Sequence, residues 1–181
     1  MVGEMRDHET VEIGLRGAIT GHLVLSTLHT NDAITSALRL IDMGAAGFLV
    51  GSSLRAVIAQ RLVRRVCDNC ATDHTPDTQE LFWLKNLVGD SVESIQFKKG
   101  TGCQSCQYTG YRGRIGVFEL LEMNEPMMAA LKRDDAEGFT ELAKKNPTFK
   151  PLALAAFDYA VQGITSVEEV LRLVETVEVA G

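Results

Sequence analysis

Apolar residues recur at helical spacing in three stretches of the first 65 residues. The pattern predicts helices over 7–20, 33–43 and 48–60, and a glycine follows directly after each of the first two. The predicted apolar faces are Val11, Leu15, Ala18 and Ile19 in the first helix and Ile34, Ala37, Leu38 and Ile41 in the second. Thr30 or Asn31 is the expected N-cap of the second helix.

Two short apolar runs in the same region have the pattern of strands. Residues 1–4 have the composition of a strand end, and we expect a longer chain to supply its beginning. The run HLVLSTL, at 22–28, is followed by a polar turn, which predicts a buried parallel strand leading into a helix. Strands that alternate with helices indicate the α/β class.

The rest of the chain divides into two further parts. Residues 66–122 hold two cysteine pairs, a predicted helix over 76–88 that begins with proline, and an alternating strand over 113–121. Residues 123–181 predict short helices broken at Gly138, Asn146-Pro147 and Gly163, with a capping box from Ser166 to Glu169 before the last helix. We therefore expect three segments, 1–65, 66–122 and 123–181. The apolar stripe Met123, Met127, Met128 and Leu131 is expected to form the core of this helical tail rather than a partner groove.

Composition is that of a folded, water-soluble domain and narrows the possible partners. The chain has 45% hydrophobic and 23% charged residues, and a formal net charge of -6. This acidity argues against a nucleic-acid partner, although Arg61, Arg64, Arg65, Lys98, Lys99, Arg112 and Arg114 flank the cysteines and could form a local basic patch. No apolar run approaches the roughly 20 residues of a membrane span, so we expect a cytoplasmic protein.

The four cysteines form two C-x-x-C pairs, Cys67 with Cys70 and Cys103 with Cys106. In a reducing compartment such pairs favour a metal site over disulfides, and four thiolates match the closed tetrahedral site of structural Zn²⁺. Iron is an alternative occupant, and four unrelated buried or redox cysteines are the alternative without metal.

Polar side chains follow the ends of both predicted strands. Glu4 ends the first strand, whereas Thr27, His29, Thr30 and Asn31 crowd the end of the second. Open α/β sheets bind ligands at the carboxyl ends of their strands. A glutamate there can orient or deprotonate the water that attacks a γ-phosphate, or act through Mg²⁺, and His29 can polarise that phosphate. A solvent-facing acid and a structural histidine are the alternatives.

A longer run of residues carries a family resemblance. The segment VGEMRDHETVEIGLRGAITGHLVLSTLHTNDAITSALRLIDMG closely resembles the ATPases that drive type II secretion and type IV pilus assembly. The match continues through SSLRAVIAQRLVRRVCDNC to GYRGRIGVFELL, at about Leu121. Within that family the run looks most like the branch that serves mannose-sensitive haemagglutinin pili.

The resemblance implies a role for each candidate residue. Glu4 corresponds to the Walker B glutamate, His22 and His29 to the histidine box, and Cys67, Cys70, Cys103 and Cys106 to a tetracysteine metal site. It implies the C-terminal half of a RecA-like P-loop NTPase core with a four-cysteine zinc module and a small all-helical tail. Retraction-type relatives lack the cysteine module, so an assembly or secretion motor is favoured.

The same resemblance implies cofactors, partners and a location. We expect ATP and Mg²⁺ as ligands of the full-length protein, structural Zn²⁺, a homo-hexamer, and a pilus or secretion platform protein at the inner membrane, with no nucleic acid. The expected location is cytoplasmic and peripheral at the inner membrane. No G-x-x-x-x-G-K-[ST] motif occurs in the 181 residues, so this chain alone is expected to be inactive. A zinc-clasped, non-catalytic interaction module is the alternative.

Overall fold

A computed structural model describes residues 1–178, which combine helices and strands in an α/β fold. In chain order the elements are α1 (His8–Ile19), α2 (Ala33–Asp42), α3 (Gly47–Ser53), β1 (Ala56–Val66), β2 (Ala71–His74), α4 (Thr78–Val88), β3 (Phe97–Gly100), β4 (Tyr111–Glu122), α5 (Glu125–Lys132), α6 (Ala136–Lys144), α7 (Leu152–Val161) and α8 (Val167–Glu178). Residues 179–181 of the predicted third segment lie outside the described residues.

The chain folds into two compact units that cut across the three predicted segments. One unit comprises Met1–Ala59 with Glu119–Lys150, and the other comprises Gln60–Phe118 with the chain from Pro151 onward. Helices α5 and α6 therefore belong to the first unit, whereas α7 and α8 belong to the second. The three-segment division stays a prediction about domains.

The first unit is built around an apolar core supplied by its helices. Asp7 caps α1 by accepting a hydrogen bond of 2.8 Å from the Thr10 amide, and Val11 and Leu15 then point into the core. Met127 and Leu131 of α5 are fully buried in the same core, so the apolar stripe packs in the core of the first unit and not in a separate core of the C-terminal tail. A Cβ added to Gly47 would lie 2.2 Å from the Leu131 carbonyl oxygen. Only glycine therefore lets α3 lie this close to α5.

The second unit contains the cysteine segment and the last two helices. Strands β2 and β3 pair antiparallel, with Ala71 opposite Gly100 and His74 opposite Phe97. The buried Phe97 ring meets Phe157 of α7 edge to face, with centroids 6.1 Å apart. These contacts join the cysteine segment to α7 within one core.

Strand β4 confirms the predicted strand and pairs with β1. Its burial alternates, with Val117, Glu119 and Leu121 facing inward, while Phe118 and Leu120 are exposed. Two of the three inward residues are apolar, and the third is a buried glutamate.

The predicted helix over 48–60 is wrong beyond its first turns. Helix α3 ends at Ser53, and residues from Ala56 onward form β1. The sequence AVIAQRLVRRV contains four β-branched residues, and these favour a strand where a partner is available. The partner, β4, lies more than 40 residues later in sequence, beyond the reach of a local pattern.

The predicted buried strand over 22–28 is also wrong, because residues 22–30 carry no regular strand assignment. The Val2 and Met5 amides donate to the carbonyls of Leu25 and Thr27 at 2.9 and 3.1 Å, so the two segments run alongside one another. Leu23 and Leu25 are 84% and 57% exposed, however. These two backbone hydrogen bonds are too few to form a regular strand pair. The segment 22–28 is therefore not a strand buried on both faces.

Several helix boundaries differ from the predictions. Asp32, not Thr30 or Asn31, caps α2 by accepting a hydrogen bond of 2.8 Å from the Thr35 amide. Helix α4 begins after a capping box of Asp77 and Glu80 rather than at Pro76. Gly138 does not break the tail, because its amide donates to the Asp135 cap of α6.

The predicted capping box at the start of α8 is only half present. The Ser166 hydroxyl accepts a bond of 3.4 Å from the Glu169 amide, but the Glu169 carboxylate binds Arg64. The breaks near Asn146-Pro147 and Gly163 are confirmed. Of the helices within residues 1–178, none combines the length and the apolar character that a membrane crossing needs.

Candidate functional site

Glu4 lies between an arginine and a histidine in the first unit. Its Oε2 atom accepts a hydrogen bond of 2.6 Å from Arg6, and its Oε1 atom lies 2.9 Å from Nε2 of His29. The Thr27 hydroxyl donates to the Gly3 carbonyl at 2.8 Å, which fixes the backbone beside Glu4 to the segment that leads to His29. Two of the predicted site residues, Glu4 and His29, are thus brought together.

The electrostatic environment keeps the Glu4 carboxylate ionised. The hydrogen bond from Arg6 lowers the pKa of Glu4, and the charges of Arg6 and His29 act in the same direction against a smaller effect of burial. Oε1 is shielded from solvent yet has no well-aligned hydrogen bond, so its contact with the His29 ring is a close approach of the two side chains. A negatively charged oxygen with spare acceptor capacity is suited to a cation or a water molecule.

An open pocket of about 200 Å³ adjoins Glu4 and His29. Its lining combines charged and apolar side chains: Glu4, Met5, Arg6, Leu28, His29, Arg39 and Met43. The pocket has one acid among three groups that can carry positive charge, a composition that suits a polar anionic ligand held with a metal ion.

His22 is not part of this pocket. Its Nδ1 atom lies 3.1 Å from the Thr20 hydroxyl and 3.2 Å from the Gly17 carbonyl, at the C-terminal end of α1. Its side chain is exposed. The structure therefore places the two predicted histidines in different surroundings.

Glu119 of β4, which no sequence pattern singled out as a site residue, contacts the start of α2. Its Oε1 atom accepts a hydrogen bond of 2.7 Å from the Ala33 amide, and only 3% of the residue is exposed. Glu119 lies on β4, so this bond joins residues that are 86 positions apart in sequence. The one available signal was an acid at an inward position of an alternating strand.

The four cysteines come together in the second unit, as their spacing predicts. All four sulfur atoms lie within 4.8 Å of one another. The Cys67–Cys103, Cys70–Cys106 and Cys103–Cys106 Sγ separations are 3.9, 3.8 and 3.8 Å. Four thiolates at about 2.3 Å from a tetrahedral metal ion would lie about 3.8 Å apart. The sulfur cluster therefore has the dimensions that a four-coordinate metal ion requires.

Backbone amides help to make one of these sulfurs anionic. Burial raises the pKa of the Cys106 thiol, but hydrogen bonds from the Cys103 and Gly110 amides, at 3.2 and 3.3 Å, outweigh it and lower the pKa to about 6. The Cys70 thiol has a pKa raised to about 11, chiefly by burial. A thiolate ligand needs the deprotonated form, which Cys106 favours and a bound cation would impose on Cys70.

Glycines allow the two cysteine loops to close around the sulfur cluster. A Cβ on Gly100 would lie 1.9 Å from the Gly110 carbonyl oxygen, and Gly110 itself has a φ of +79°. The Cys67 amide donates to that same carbonyl at 2.9 Å. The close backbone approach at Gly100 and Gly110 therefore helps to hold the first cysteine beside the second pair.

A partly buried ion pair next to the cysteine segment ties β1 to α8. The Arg64 side chain donates to Glu169 through Nε and a terminal nitrogen at 2.9 and 2.7 Å, and its backbone amide donates to the same carboxylate at 2.7 Å. The guanidinium also stacks 3.9 Å above the Tyr111 ring. Arg64, which the sequence places in a basic patch, is thus engaged inside the unit.

An ionised glutamate beside an arginine and a histidine at the rim of a pocket thus occurs in the same α/β chain as a four-cysteine cluster. The chain belongs to the type II/IV secretion system protein family, whose sequence profile matches residues 1–172.

Relatives cover nearly all of this chain. The type II secretion system ATPase E of Vibrio cholerae serotype O1 is 40% identical over 175 residues, which are 96% of this chain and 34% of the relative. The type IV pilus assembly ATPase PilB of Thermus thermophilus is 41% identical over 172 residues, 94% of this chain and 19% of the relative. The chain therefore spans about a third, or less, of the length of these relatives.

Solved structures support the fold. The Legionella pneumophila ATPase DotB aligns over 97% of this chain and 38% of its own, with a TM-score of 0.63 and 19% identity. The pilus retraction motor PilT aligns over 95% of this chain and 39% of its own, with a TM-score of 0.60 and 24% identity.

Proposed function

We propose that this chain is the C-terminal part of a hexameric ATPase that powers type IV pilus assembly or type II protein secretion. The chain contributes the C-terminal half of a RecA-like core, and in the full-length protein ATP and Mg²⁺ bind where Glu4 and His29 meet. The relatives named above include an ATPase of each system, so the proposal keeps both. The closer resemblance to the mannose-sensitive haemagglutinin pilus branch stays a prediction.

The observation that carries this proposal is the placement of Glu4. Its carboxylate is ionised by Arg6, shielded at Oε1, and set 2.9 Å from His29 at the edge of a pocket. In ATP hydrolysis the protein has mainly to position the water and stabilise developing charge. Glu4 orients the attacking water or its metal ion, while His29 contacts the γ-phosphate and reports whether it is present. His22 is assigned a supporting role in the same histidine box.

The test is Glu4→Gln in a longer protein that contains this chain, with Glu9→Gln on the exposed side of α1 as the matched control. Glu4→Gln is expected to leave ATP binding within about threefold of wild type and to lower kcat by at least about a hundredfold, because the carboxylate acts on the water rather than on the bound nucleotide. Glu9→Gln is expected to change neither quantity. A Glu4→Gln enzyme with a normal kcat would refute the assignment.

The four-cysteine cluster supports a structural Zn²⁺ in the same protein. The Sγ separations of 3.8 and 3.9 Å and the amide bonds to Cys106 fit a tetrahedral tetrathiolate, which leaves no open position for catalysis. Cys67, Cys70, Cys103 and Cys106 hold the ion, and Zn²⁺ is favoured over iron. When bound, the ion fixes the two cysteine loops to each other.

The sulfur cluster also supports the second candidate, a non-catalytic module that docks on a partner such as a platform protein at the inner membrane. The two functions separate experimentally. If Cys106→Ser in a longer protein abolishes assembly with the platform protein while ATP hydrolysis continues, the module is a docking element. If hydrolysis is lost as well, the module supports the motor itself. We propose that the full-length protein acts in the cytoplasm, peripheral to the inner membrane, and without a nucleic-acid partner.

A further inference from the structure

Helix α2 begins only four residues after His29, and its first amide is held from outside the helix. Ala33 is fully buried at the first helical position, where its N–H has no partner within the helix. The Glu119 carboxylate supplies that partner at 2.7 Å. An anionic acceptor at a helix N-terminus is favoured by both the charge-assisted bond and the helix dipole.

The loop before α2 is tied to the same first turn. The Ser36 hydroxyl donates to the Asp32 carbonyl at 2.6 Å, and the Thr35 amide donates to the Asp32 side chain at 2.8 Å. The Thr30 hydroxyl is hydrogen-bonded to that of Ser36. Residues 30–36 are therefore locked to one another by local bonds, and the Glu119 bond fixes this turn to a distant strand.

His29 immediately precedes this hydrogen-bonded turn in the chain. Its side chain is 86% exposed, so little packing sets the position of its ring. The 2.9 Å approach of Nε2 to Glu4 therefore depends on where the backbone at residues 29–32 is held.

We propose that Glu119 is a positioning residue, which holds the start of α2 through the Ala33 amide and thereby keeps the His29 ring against Glu4. The inference rests on the proposed function for its effect on catalysis, but the positioning itself does not require nucleotide. Glu119 does not line the pocket beside Glu4, and its bond to the Ala33 amide is the contact through which it holds the α2 turn.

The first experiment uses the 181-residue chain without nucleotide. In Glu119→Gln a neutral amide replaces the carboxylate, and the matched control is Glu122→Gln, an exposed position on the same strand. Amide exchange and imidazole signals are followed by NMR. Glu119→Gln is expected to speed exchange of the Ala33 amide about tenfold, since a charge-assisted bond becomes a neutral one, and to shift the His29 ring signals. The control is expected to match wild type.

The second experiment measures steady-state hydrolysis in a longer protein that contains the chain. Glu119→Gln is expected to lower kcat about tenfold while KM for ATP stays within about twofold, because His29 is displaced but the rest of the pocket is intact. A purely structural role would lower the melting temperature and leave both kcat per folded protein and the His29 signals unchanged. That result overturns the proposal.

Two further outcomes are decisive. If Glu119→Gln does not fold, Ala33→Pro removes the donor instead. Proline suits the first helical position, and Asp32 is already extended at φ −148° and ψ 173°, as a residue before proline must be. Shifted His29 signals then support the proposal, and unchanged signals overturn it. Should Glu4→Gln hydrolyse ATP normally, the proposed function fails, while the nucleotide-free NMR result still decides the role of Glu119.

Discussion

Replacing Glu169 by glutamine should destabilise the second unit strongly, whereas the same change at the neighbouring Glu168 should not. Both carboxylates bind Arg64, and both lie in the first turn of α8. The Glu168 side chain is 48% exposed, but that of Glu169 is only 6% exposed and accepts bonds from Arg64 and Arg172. The two variants therefore compare the same substitution at an exposed and at a buried carboxylate.

The magnitude follows from the bonds that change. Glutamine can still accept the bond from the Arg64 amide, but its NH2 group then faces the guanidinium donors. Net values for hydrogen bonds to charged groups are about 1.5–3 kcal/mol, and breaking a buried ion pair costs about 3–5 kcal/mol. Because the Arg64 side chain remains 35% exposed and can be partly hydrated, we expect about 2–4 kcal/mol for Glu169→Gln. Glu168→Gln should cost about 0.5 kcal/mol or less.

The assay is urea unfolding followed by circular dichroism, supported by melting temperatures. At about 2–4 °C for each kcal/mol in a chain of this size, Glu169→Gln should melt about 5–15 °C below wild type. Equal destabilisation by the two variants would show that burial does not determine the contribution of these carboxylates, and the reasoning would fail.

The same pair predicts a pH dependence. Burial raises the pKa of Glu169, but the bonds from Arg64 outweigh it, so the pKa lies below its ordinary value of 4.5. A depressed pKa contributes stability that is fully present above about pH 4.5 and is lost as the pH falls through the folded value. The stability gap between wild type and Glu169→Gln should therefore be constant near neutral pH and close in acid below pH 4.5.

Three further predictions concern other parts of the chain. One equivalent of zinc should copurify, by elemental analysis, and Cys103→Ser should lose it and melt lower, unlike Ser105→Ala. Gly47→Ala should cost about 1–3 kcal/mol through overlap with α5, whereas Gly17→Ala, whose Cβ would lie 3.8 Å from Val24, should stabilise α1 by about 0.5–1 kcal/mol in urea unfolding. Calorimetry should detect no saturable ATP binding by the 181-residue chain below about 1 mM, because it lacks the phosphate-binding motif.

Local signals in the sequence predicted the features that depend on neighbouring residues. Helices α1, α2 and α4 have apolar faces and caps within a few residues of their ends, and the pattern found each of them. The cysteine cluster was predictable because C-x-x-C spacing already points two sulfurs at one centre.

The predictions that were wrong concern features that depend on residues distant in sequence. The sequence from Ala56 onward is compatible with either a helix or a strand, and its pairing with β4 makes it a strand. The apolar run at 22–28 predicts burial on both faces, yet Leu23 and Leu25 are exposed in this chain. A hydrophobic pattern shows which residues can be buried. It does not show which distant segment of the chain packs against them.

Glu119 shows how an acid in an apolar pattern can be informative. In β4 the positions of Val117, Glu119 and Leu121 share the buried face, and a carboxylate there is costly unless strong donors meet it. The inward position thus implies a buried donor, although the sequence does not say which one. One such donor is the first amide of α2, 86 residues earlier, beside the loop that carries His29. A polar residue on the buried face of an otherwise apolar strand therefore indicates a hydrogen bond to a distant part of the chain. In this protein, that bond connects β4 to the helix that follows His29.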